Sequence, residues 1–171
     1  FSLVELSILL TVIAIMLASS LSIRAARMSQ GELQTTRDEM DVIRKALRAY
    51  AKTNGRLPCP APLNASFGAV SYGQPQRSSP TCIVAADSVY FELMPNAERA
   101  YSGAVPVYEL GLSKDYTGDS WGGRYLYTVD KDLVVDTSLN IALPTTGTVR
   151  VVKRDSTVVR SDLAYVLISF G

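Results

Sequence analysis

Hydrophobic residues are concentrated at the start of this chain. Residues 1 to 23 include sixteen apolar residues and six Ser or Thr, and Glu5 is their only charged residue. No charge interrupts the run from Leu6 to Ile23, which would be about 27 Å long as an α-helix at 1.5 Å per residue. The hydrocarbon core of a bilayer is about 30 Å thick. The pattern therefore predicts a helix that can cross a membrane.

The segment that follows is predicted to continue the same helix in amphipathic form. Residues 24 to 52 contain seven basic and four acidic residues. Apolar or weakly polar residues recur there at an alternating spacing of three and four: Leu33, Thr36, Met40, Ile43, Leu47 and Tyr50. This stripe is typical of a helix with one buried face. No proline precedes Pro58, and Asn54-Gly55 is a helix-ending signal, so we predict one helix of about 53 residues.

Beyond the helix the pattern changes to short β-type runs. Residues 59 to 80 are rich in Pro, Ser, Gly and Asn, which is typical of irregular connecting chain. Strands are predicted at Ser88 to Leu93, Ala104 to Tyr108, Arg124 to Val129, Leu133 to Val135, Thr148 to Lys153 and Ala164 to Ser169. Hairpin turns are predicted at residues 130 to 132 and 154 to 156. The expected fold class is α+β, a long N-terminal helix packed on a small C-terminal antiparallel sheet.

The same patterns divide the chain into four segments. Residues 1–23 form the hydrophobic half of the helix, and residues 24–54 form its amphipathic half. Residues 55–87 form an irregular loop that contains both cysteines, and residues 88–171 form the β-sheet region. At 171 residues the chain has the size of one ordinary domain with an appendage.

The composition excludes several classes of function. The chain contains no histidine, which removes Ser-His-Asp and Cys-His nucleophile activation and His-ligated zinc. The formal net charge is +1, so no global electrostatic field attracts nucleic acid. We expect no catalytic residue, no metal and no cofactor, and the family resemblance given below implies a structural protein rather than an enzyme.

The two cysteines are predicted to pair. Cys59 and Cys82 lie 23 positions apart across the irregular segment, and two thiols are too few for a structural zinc site. In an exported domain, a disulfide that closes this loop is the favoured interpretation. Two unpaired, buried thiols are the alternative.

Two clusters of charged residues are weaker candidates. An acidic set could suggest a calcium loop, but its spacing is not that of an EF-hand, and we favour no metal site: Asp130, Asp132 and Asp136. A basic set could suggest contact with nucleic acid, but it lacks interleaved stacking residues and is more typical of a solvated hairpin face: Arg150, Lys153, Arg154 and Arg160.

Several stretches together resemble one family. The opening FSLVELSILLTVIAIMLASSLSIRAA resembles the mature N-terminus of type IV pilins and of type II secretion pseudopilins. The stretch ALRAYAKTNGRLPCP resembles the end of the long pilin helix, and the final VLISFG resembles a terminal strand of that family. DSWGGRYLY resembles a motif of major pseudopilins and many pilins, in which Asp119, Trp121, Gly122 and Tyr125 have structural roles. We expect the Asp119 carboxylate to cap a turn and the Trp121 indole to fill the helix–sheet interface.

The resemblance implies a type IV pilin fold and a function in filament assembly. It implies cleavage just before Phe1 by a prepilin peptidase, N-methylation of Phe1, and assembly of a homopolymer by a pilus assembly platform. The subunit would be a single-pass inner-membrane protein before assembly and part of an extracellular filament afterwards. The expected filament core comprises Leu3, Val4, Leu6, Ile8, Leu9, Val12, Ile13, Met16 and Leu17.

Glu5 is the residue of the apolar half that needs an explanation. An unpaired carboxylate is costly to bury in an apolar environment, so we expect Glu5 to pair with a cation; a position among the lipid head groups is the alternative. The nearest candidate is the α-amino group of Phe1, in the same subunit or, as the family implies, in a neighbouring one. Many pilins have Gly and Pro where this chain has Ala14 and Ser22, so we expect the helix to stay mostly helical there in a filament.

Two other functions remain open at this point. The chain could be a pseudopilin of a type II secretion system, which the DSWG element favours and which would act in protein secretion rather than in adhesion at the cell surface. It could also be a membrane-anchored binding module that never polymerises. That alternative predicts tolerance of changes at Phe1 and Glu5.

Overall fold

The computed structural model describes residues 2–75, 77–78, 81–82, 100–135, 147, 149–153, 155 and 157–171, without the side chains of residues 16–29, 78 and 81. Helix α1 spans Leu3–Asn54 and begins at a capping box, in which the Ser2 hydroxyl accepts from the backbone of Val4 and Glu5 accepts from the backbone N–H of Ser2. It ends at Gly55, whose φ of 67° is left-handed, as the Asn54-Gly55 signal predicted.

The two described parts of α1 have different surroundings. Every described side chain from residue 3 to residue 15 is exposed, whereas residues 30–54 bury one face against the rest of the chain. The sequence predicted a helix of about 53 residues packed on the sheet. Among the residues with described side chains, the part of α1 that packs on the rest of the chain is residues 30–54, 25 residues, which lie in the amphipathic half with its single apolar stripe.

The described part of the chain holds no helix that is both long enough and apolar enough for a membrane span. The charge-free run predicted to cross a membrane, Leu6 to Ile23, continues into residues 16–29, whose side chains lie outside the description.

The described strands form small antiparallel sheets. Two strands, β1 (Arg77–Ser78) and β2 (Thr81–Cys82), pair within the irregular loop. The main sheet has the order β3-β4-β7 and consists of β3 (Ala100–Ala104), β4 (Leu126–Asp130) and β7 (Tyr165–Ile168). A separate hairpin pairs β5 (Val149–Val152) with β6 (Val158–Leu163). Short 3₁₀ turns occupy Lys114–Thr117 and Lys131–Leu133.

Several strand predictions agree with these elements. The runs at residues 124–129, 148–153 and 164–169 contain most of β4, all of β5 and all of β7. The predicted hairpin is confirmed in its pairing, since β5 pairs with β6 and the Lys153 N–H donates to the Thr157 carbonyl at 2.9 Å; residues 154 and 156 of its turn lie outside the described residues. The predicted strand at residues 88–93 lies outside the described residues.

Other strand predictions are wrong. The chain leaves β3 at Ala104, and Pro106, which has no N–H, follows within a turn instead of the predicted strand at 104–108. The predicted hairpin turn at residues 130–132 is a 3₁₀ turn, because the Asp130 carboxylate accepts from the Asp132 N–H at 2.8 Å and winds the chain. The predicted strand at 133–135 is therefore absent, and β4 pairs with β3 and β7 instead.

The core lies between the second half of α1 and the main sheet. Its buried residues come from the helix, the loops and the sheet: Ile43, Leu47, Leu57, Cys59, Cys82, Val105, Val107, Tyr125, Tyr127, Val129, Leu133 and Val134. The predicted stripe is confirmed for Thr36, which is buried, and for Met40, which packs on this core. Leu33 is the exception at 43% exposure.

Candidate functional site

The first candidate site is the surface of the N-terminal half of α1. Leu3 is 86% exposed and Ile15 is 68% exposed, and the large apolar residues between them are also exposed. The predicted filament-core residues in this range are therefore uncovered in the subunit: Leu3, Val4, Leu6, Ile8, Leu9, Val12 and Ile13. The side chains of Met16 and Leu17 lie outside the description. A helix that is apolar on every side is normally buried in a large core or in a membrane.

The polar groups of this helical segment are satisfied locally. The hydroxyl of Ser7 donates to the Val4 carbonyl at 2.9 Å, and that of Thr11 donates to the Ile8 carbonyl at 2.8 Å. Both hydroxyl hydrogens are thereby directed back to the helix, so the segment can be covered by apolar surroundings without losing these bonds.

Glu5 takes part in the capping box at the start of the helix. Its Oε2 atom accepts from the Ser2 N–H at 3.0 Å. Phe1, the predicted partner of this carboxylate, lies outside the described residues. The pairing of Glu5 with an α-amino group therefore stays a prediction.

The second candidate site is the turn at Asp119. Its Oδ1 atom accepts from the N–H groups of Trp121 at 3.1 Å and Gly123 at 2.7 Å. Gly122 has a φ of 84°, a conformation that favours glycine, and its N–H donates to the Asp119 carbonyl at 3.1 Å. The prediction that the Asp119 carboxylate caps a turn is confirmed. Its Oδ2 atom also accepts from the Ser169 hydroxyl at 2.6 Å, which ties the segment after β7 to this turn.

The residue that fills the helix–sheet interface is not the predicted one. Trp121 is partly exposed and does not belong to the buried core, so the role expected for its indole is wrong. Tyr125 is completely buried there, and its hydroxyl donates to Glu39 Oε2 of α1 at 2.7 Å. The buried Thr36 accepts at 3.4 Å from the N–H of Ser120, the residue after Asp119. The turn and the start of β4 are thus joined to α1 by polar contacts.

Burial raises the pKa of two tyrosine hydroxyls in the core. Desolvation raises the pKa of Tyr125 well above the ordinary value of tyrosine, and the hydrogen bond to the Glu39 carboxylate raises it further. Burial likewise raises the pKa of Tyr127, whose hydroxyl donates to the Pro58 carbonyl at 3.2 Å. Both hydroxyls therefore stay protonated, and remain hydrogen-bond donors, to a higher pH than an exposed tyrosine.

A polar cluster that the sequence did not reveal lies near the end of α1. The Tyr50 hydroxyl donates to the carboxylate of Glu109, and the Arg56 guanidinium lies 3.6 Å from that carboxylate and 5.5 Å from the centre of the Tyr50 ring. Burial, and then the hydrogen bond to Glu109, raise the pKa of Tyr50 to about 12. This cluster anchors the last turns of α1 to the loop after β3.

The disulfide loop is organised by two features. The structure joins Cys59 and Cys82, with their Cα atoms 5.6 Å apart. Arg124, which sequence analysis did not single out, donates through Nη1 to the carbonyls of Pro62 at 3.1 Å and Leu63 at 2.6 Å, and its guanidinium lies 4.5 Å above the Tyr72 ring. Burial lowers the pKa of this guanidinium. The loop is therefore closed by its cysteines and is held at its interior by Arg124, two residues before β4.

The two weaker sets of charged residues lie only partly within the described residues. Asp130 is buried and caps a 3₁₀ turn, Asp132 is exposed, and Asp136 lies outside the description. Within the described ranges no three potential metal ligands come together. The basic residues Arg150, Lys153 and Arg160 are exposed on the β5–β6 hairpin, and Arg154 lies outside the description.

The comparisons with known proteins add no relative. No protein-family model, no curated protein and no solved structure matches the chain. The structure combines two features: an exposed apolar helix surface at residues 3–15, and a domain whose helix, turn and loop are held by specific polar contacts.

Proposed function

We propose that this chain is a structural subunit, a pilin, that polymerises through its N-terminal helix into a type IV pilus filament on the bacterial surface. The observation that carries the proposal is the exposure of an apolar helix surface on all sides from residue 3 to residue 15. Burial of one large apolar side chain contributes about 1.5–3 kcal/mol relative to water. Exposing so many apolar side chains to water is unfavourable, so lipid or other protein must cover them.

The proposal assigns these two coverings to two stages. Before assembly the apolar half lies in the inner membrane, where lipid surrounds it. During assembly the subunit leaves the membrane and the same side chains contact the helices of other copies in the filament core. The local hydrogen bonds of Ser7 and Thr11 support this exchange, because neither environment has to supply a partner for those hydroxyl donors.

The type IV pilin fold is part of the same proposal. Its support is the α+β arrangement in which residues 30–54 of α1 pack on a small antiparallel sheet. Further support comes from the resemblance of the first 26 residues and of the Asp119–Tyr127 segment to that family. The prepilin peptidase and the pilus assembly platform enter as partners on the same resemblance.

Glu5 is proposed to select the docking position of an incoming subunit. In the subunit its Oε2 atom accepts from Ser2 at the helix start, next to the apolar surface. When neighbouring helices exclude water, this carboxylate needs a positive charge, and the α-amino group of another copy's Phe1 supplies one. A misaligned subunit would leave the carboxylate uncompensated.

The test is substitution of Glu5 by Val in the full chain. We expect membrane insertion and folding to be retained, whereas the yield of sheared filaments falls at least tenfold. Glu32→Ala is the matched control, because it removes a carboxylate from the same helix beyond the apolar half. Filament yield at the level of the unaltered chain in the Glu5 variant would contradict the docking role.

A pseudopilin of a type II secretion system is the second candidate. The Asp119 turn favours it, because the DSWG element resembles that of major pseudopilins. Electron microscopy of material sheared from cells distinguishes the two, since a surface pilus appears in that fraction and a periplasmic pseudopilus does not. Native single copies held in lipid, unaffected by changes at Glu5, would instead indicate the non-polymerising binding module.

A further inference from the structure

Gly31 is the weakest helix former within α1. It is the only glycine in the sequence of this 52-residue helix, which contains no proline. Glycine in a helix interior is less favourable than alanine, because it loses the most backbone freedom on folding. The position is exposed, and a Cβ added there would meet no atom within 4 Å in the described part of the chain. The packing of the described subunit therefore does not require a glycine at this position.

A hydrogen bond from Thr35 weakens the helix at the same point. The Oγ1 atom of Thr35 donates to the Gly31 carbonyl at 3.0 Å. A threonine hydroxyl that bonds to the carbonyl four residues earlier competes with the helical backbone bond and often bends the helix. Sharp bends are typical of places where a side chain enters the backbone hydrogen-bond ladder. Two independent features, the missing side chain and the Thr35 bond, thus coincide at Gly31.

Gly31 also precedes the part of α1 that the domain holds. The first buried side chain of the packed half is that of Thr36, five residues after Gly31. On the other side of Gly31, every described side chain from residue 3 to residue 15 is exposed. A bend at Gly31 would therefore turn residues 3–15 relative to the domain without uncovering any of their side chains.

We infer that Gly31 is a hinge at which the apolar half of α1 changes its angle to the domain as the subunit passes from the membrane into a filament. This inference rests on the proposed function. The apolar half follows the lipid before assembly and a bundle of other helices afterwards. A rigid helix would impose one angle between this half and the domain in both surroundings. A hinge residue absorbs the change in backbone angles, so each surrounding sets its own angle.

The direct test measures bending in the full chain. Spin labels on Thr11→Cys and Lys45→Cys, exposed positions on either side of Gly31, would lie about 51 Å apart on an unbent helix at 1.5 Å per residue. In lipid nanodiscs, double electron–electron resonance should give a broad distance distribution with Gly31 and a narrower one with Gly31→Ala, because alanine is the best helix former. Gln30→Ala, at the exposed neighbouring position, is the control and should keep the broad distribution.

Filament yield tests the role of the hinge in assembly. Gly31→Ala should leave the melting temperature of the detergent-solubilised subunit equal or higher, and should lower the yield of sheared filaments several-fold. The double variant Gln30→Gly, Gly31→Ala moves the glycine by one residue and should restore both the broad distribution and the yield. A glycine needed for close contact with another helix could not be moved in this way, because adjacent positions point about 100° apart around a helix.

The outcomes separate this inference from the proposed function. A narrower distribution and a lower yield in Gly31→Ala, both restored by the double variant, support the hinge. Equal distance distributions with and without Gly31, equal filament yields, or a lost yield that the double variant does not restore each overturn it. In these three cases filaments of the unaltered chain leave the proposed function standing. Absence of any filament from the unaltered chain overturns the proposed function and the role of the hinge in assembly with it.

Discussion

The hydroxyl group of Tyr125 donates a 2.7 Å hydrogen bond to a carboxylate oxygen of Glu39, 86 positions earlier in the chain. Tyr125 stands just before β4, the central strand of the main sheet, and Glu39 lies on the packed half of α1. The bond therefore fixes the helix to the sheet at one rotational setting. In the proposed filament this setting would determine where the domain lies relative to the helical core.

The first prediction concerns this contact. Tyr125→Phe retains the ring but removes the donor, and leaves a partly buried carboxylate without that bond. We expect the free energy of unfolding to fall by about 2 kcal/mol, the usual size for a hydrogen bond to a charged group. Urea denaturation of the detergent-solubilised chain measures this change.

Tyr116→Phe is the matched control for that measurement. Tyr116 packs against the core, and within the described part of the chain its hydroxyl makes no side-chain hydrogen bond. The free energy of unfolding of this variant should fall by less than about 0.5 kcal/mol. Equal losses in the two variants would mean that the bond to Glu39 contributes nothing beyond the ring.

A second prediction concerns the Asp119 turn. Asp119→Ala removes the carboxylate that accepts from two backbone N–H groups and from the Ser169 hydroxyl. We therefore expect the free energy of unfolding to fall by about 2–4 kcal/mol. Hydrogen exchange should also accelerate at residues 165–169, because the segment after β7 loses its tie to the turn. Asp115→Ala, at an exposed carboxylate, is the comparison. Unchanged exchange in that segment would show that Ser169 does not hold it.

A third prediction concerns the close approach of the cysteine loop to β3. A Cβ added at Gly103 would lie 2.4 Å from the Ala61 carbonyl oxygen and 2.7 Å from Pro60 Cβ. Gly103→Ala should therefore destabilise the chain by about 1–3 kcal/mol, the cost of overpacking. Gly68→Ala meets no atom within 4 Å and should change stability little. Thermal unfolding of both variants checks the prediction, and similar melting temperatures would contradict it.

A fourth prediction is a loss of stability at alkaline pH through Tyr50. Its pKa is about 12 in the folded chain and near 10 in the unfolded chain, so the folded state holds more protons between these values. Its contribution to stability is complete below pH 10 and is lost as the pH rises towards 12. Tyr50→Phe should be less stable at pH 8, since it lacks the bond to Glu109, but its melting temperature should decline less steeply above pH 10. Parallel declines would exclude this role of Tyr50.

The sequence alone predicted the features that depend on neighbouring residues. The spacing of Thr36, Ile43 and Leu47 indicated the buried face of α1, because a helix repeats every 3.6 residues and its period is local. The turn signal between β5 and β6 and the end of α1 at Gly55 were predicted for the same reason. The structure contains the favoured disulfide between Cys59 and Cys82. The sequence argument for it was the export of the domain and the number of cysteines, not the distance between them.

The candidate apolar surface was also visible in the sequence, whereas most contacts that hold the domain were not. Arg124 reads as one charged residue in a strand, and nothing near it indicates that carbonyls some 60 positions earlier will accept its donors. Glu109 likewise has no local signal for Tyr50, 59 positions away. Trp121 was chosen for the interface by its size and motif, yet the turn leaves it partly exposed.

By itself the sequence determined the helix, its division into an apolar and an amphipathic half, and the α+β class, because hydrophobic periodicity and turn chemistry act over a few residues. Only the tertiary structure decided that β4 lies between β3 and β7, and that Tyr125 rather than Trp121 fills the space beneath α1. Such choices follow from which surfaces fit together at close packing, and that fit depends on residues far apart in the chain.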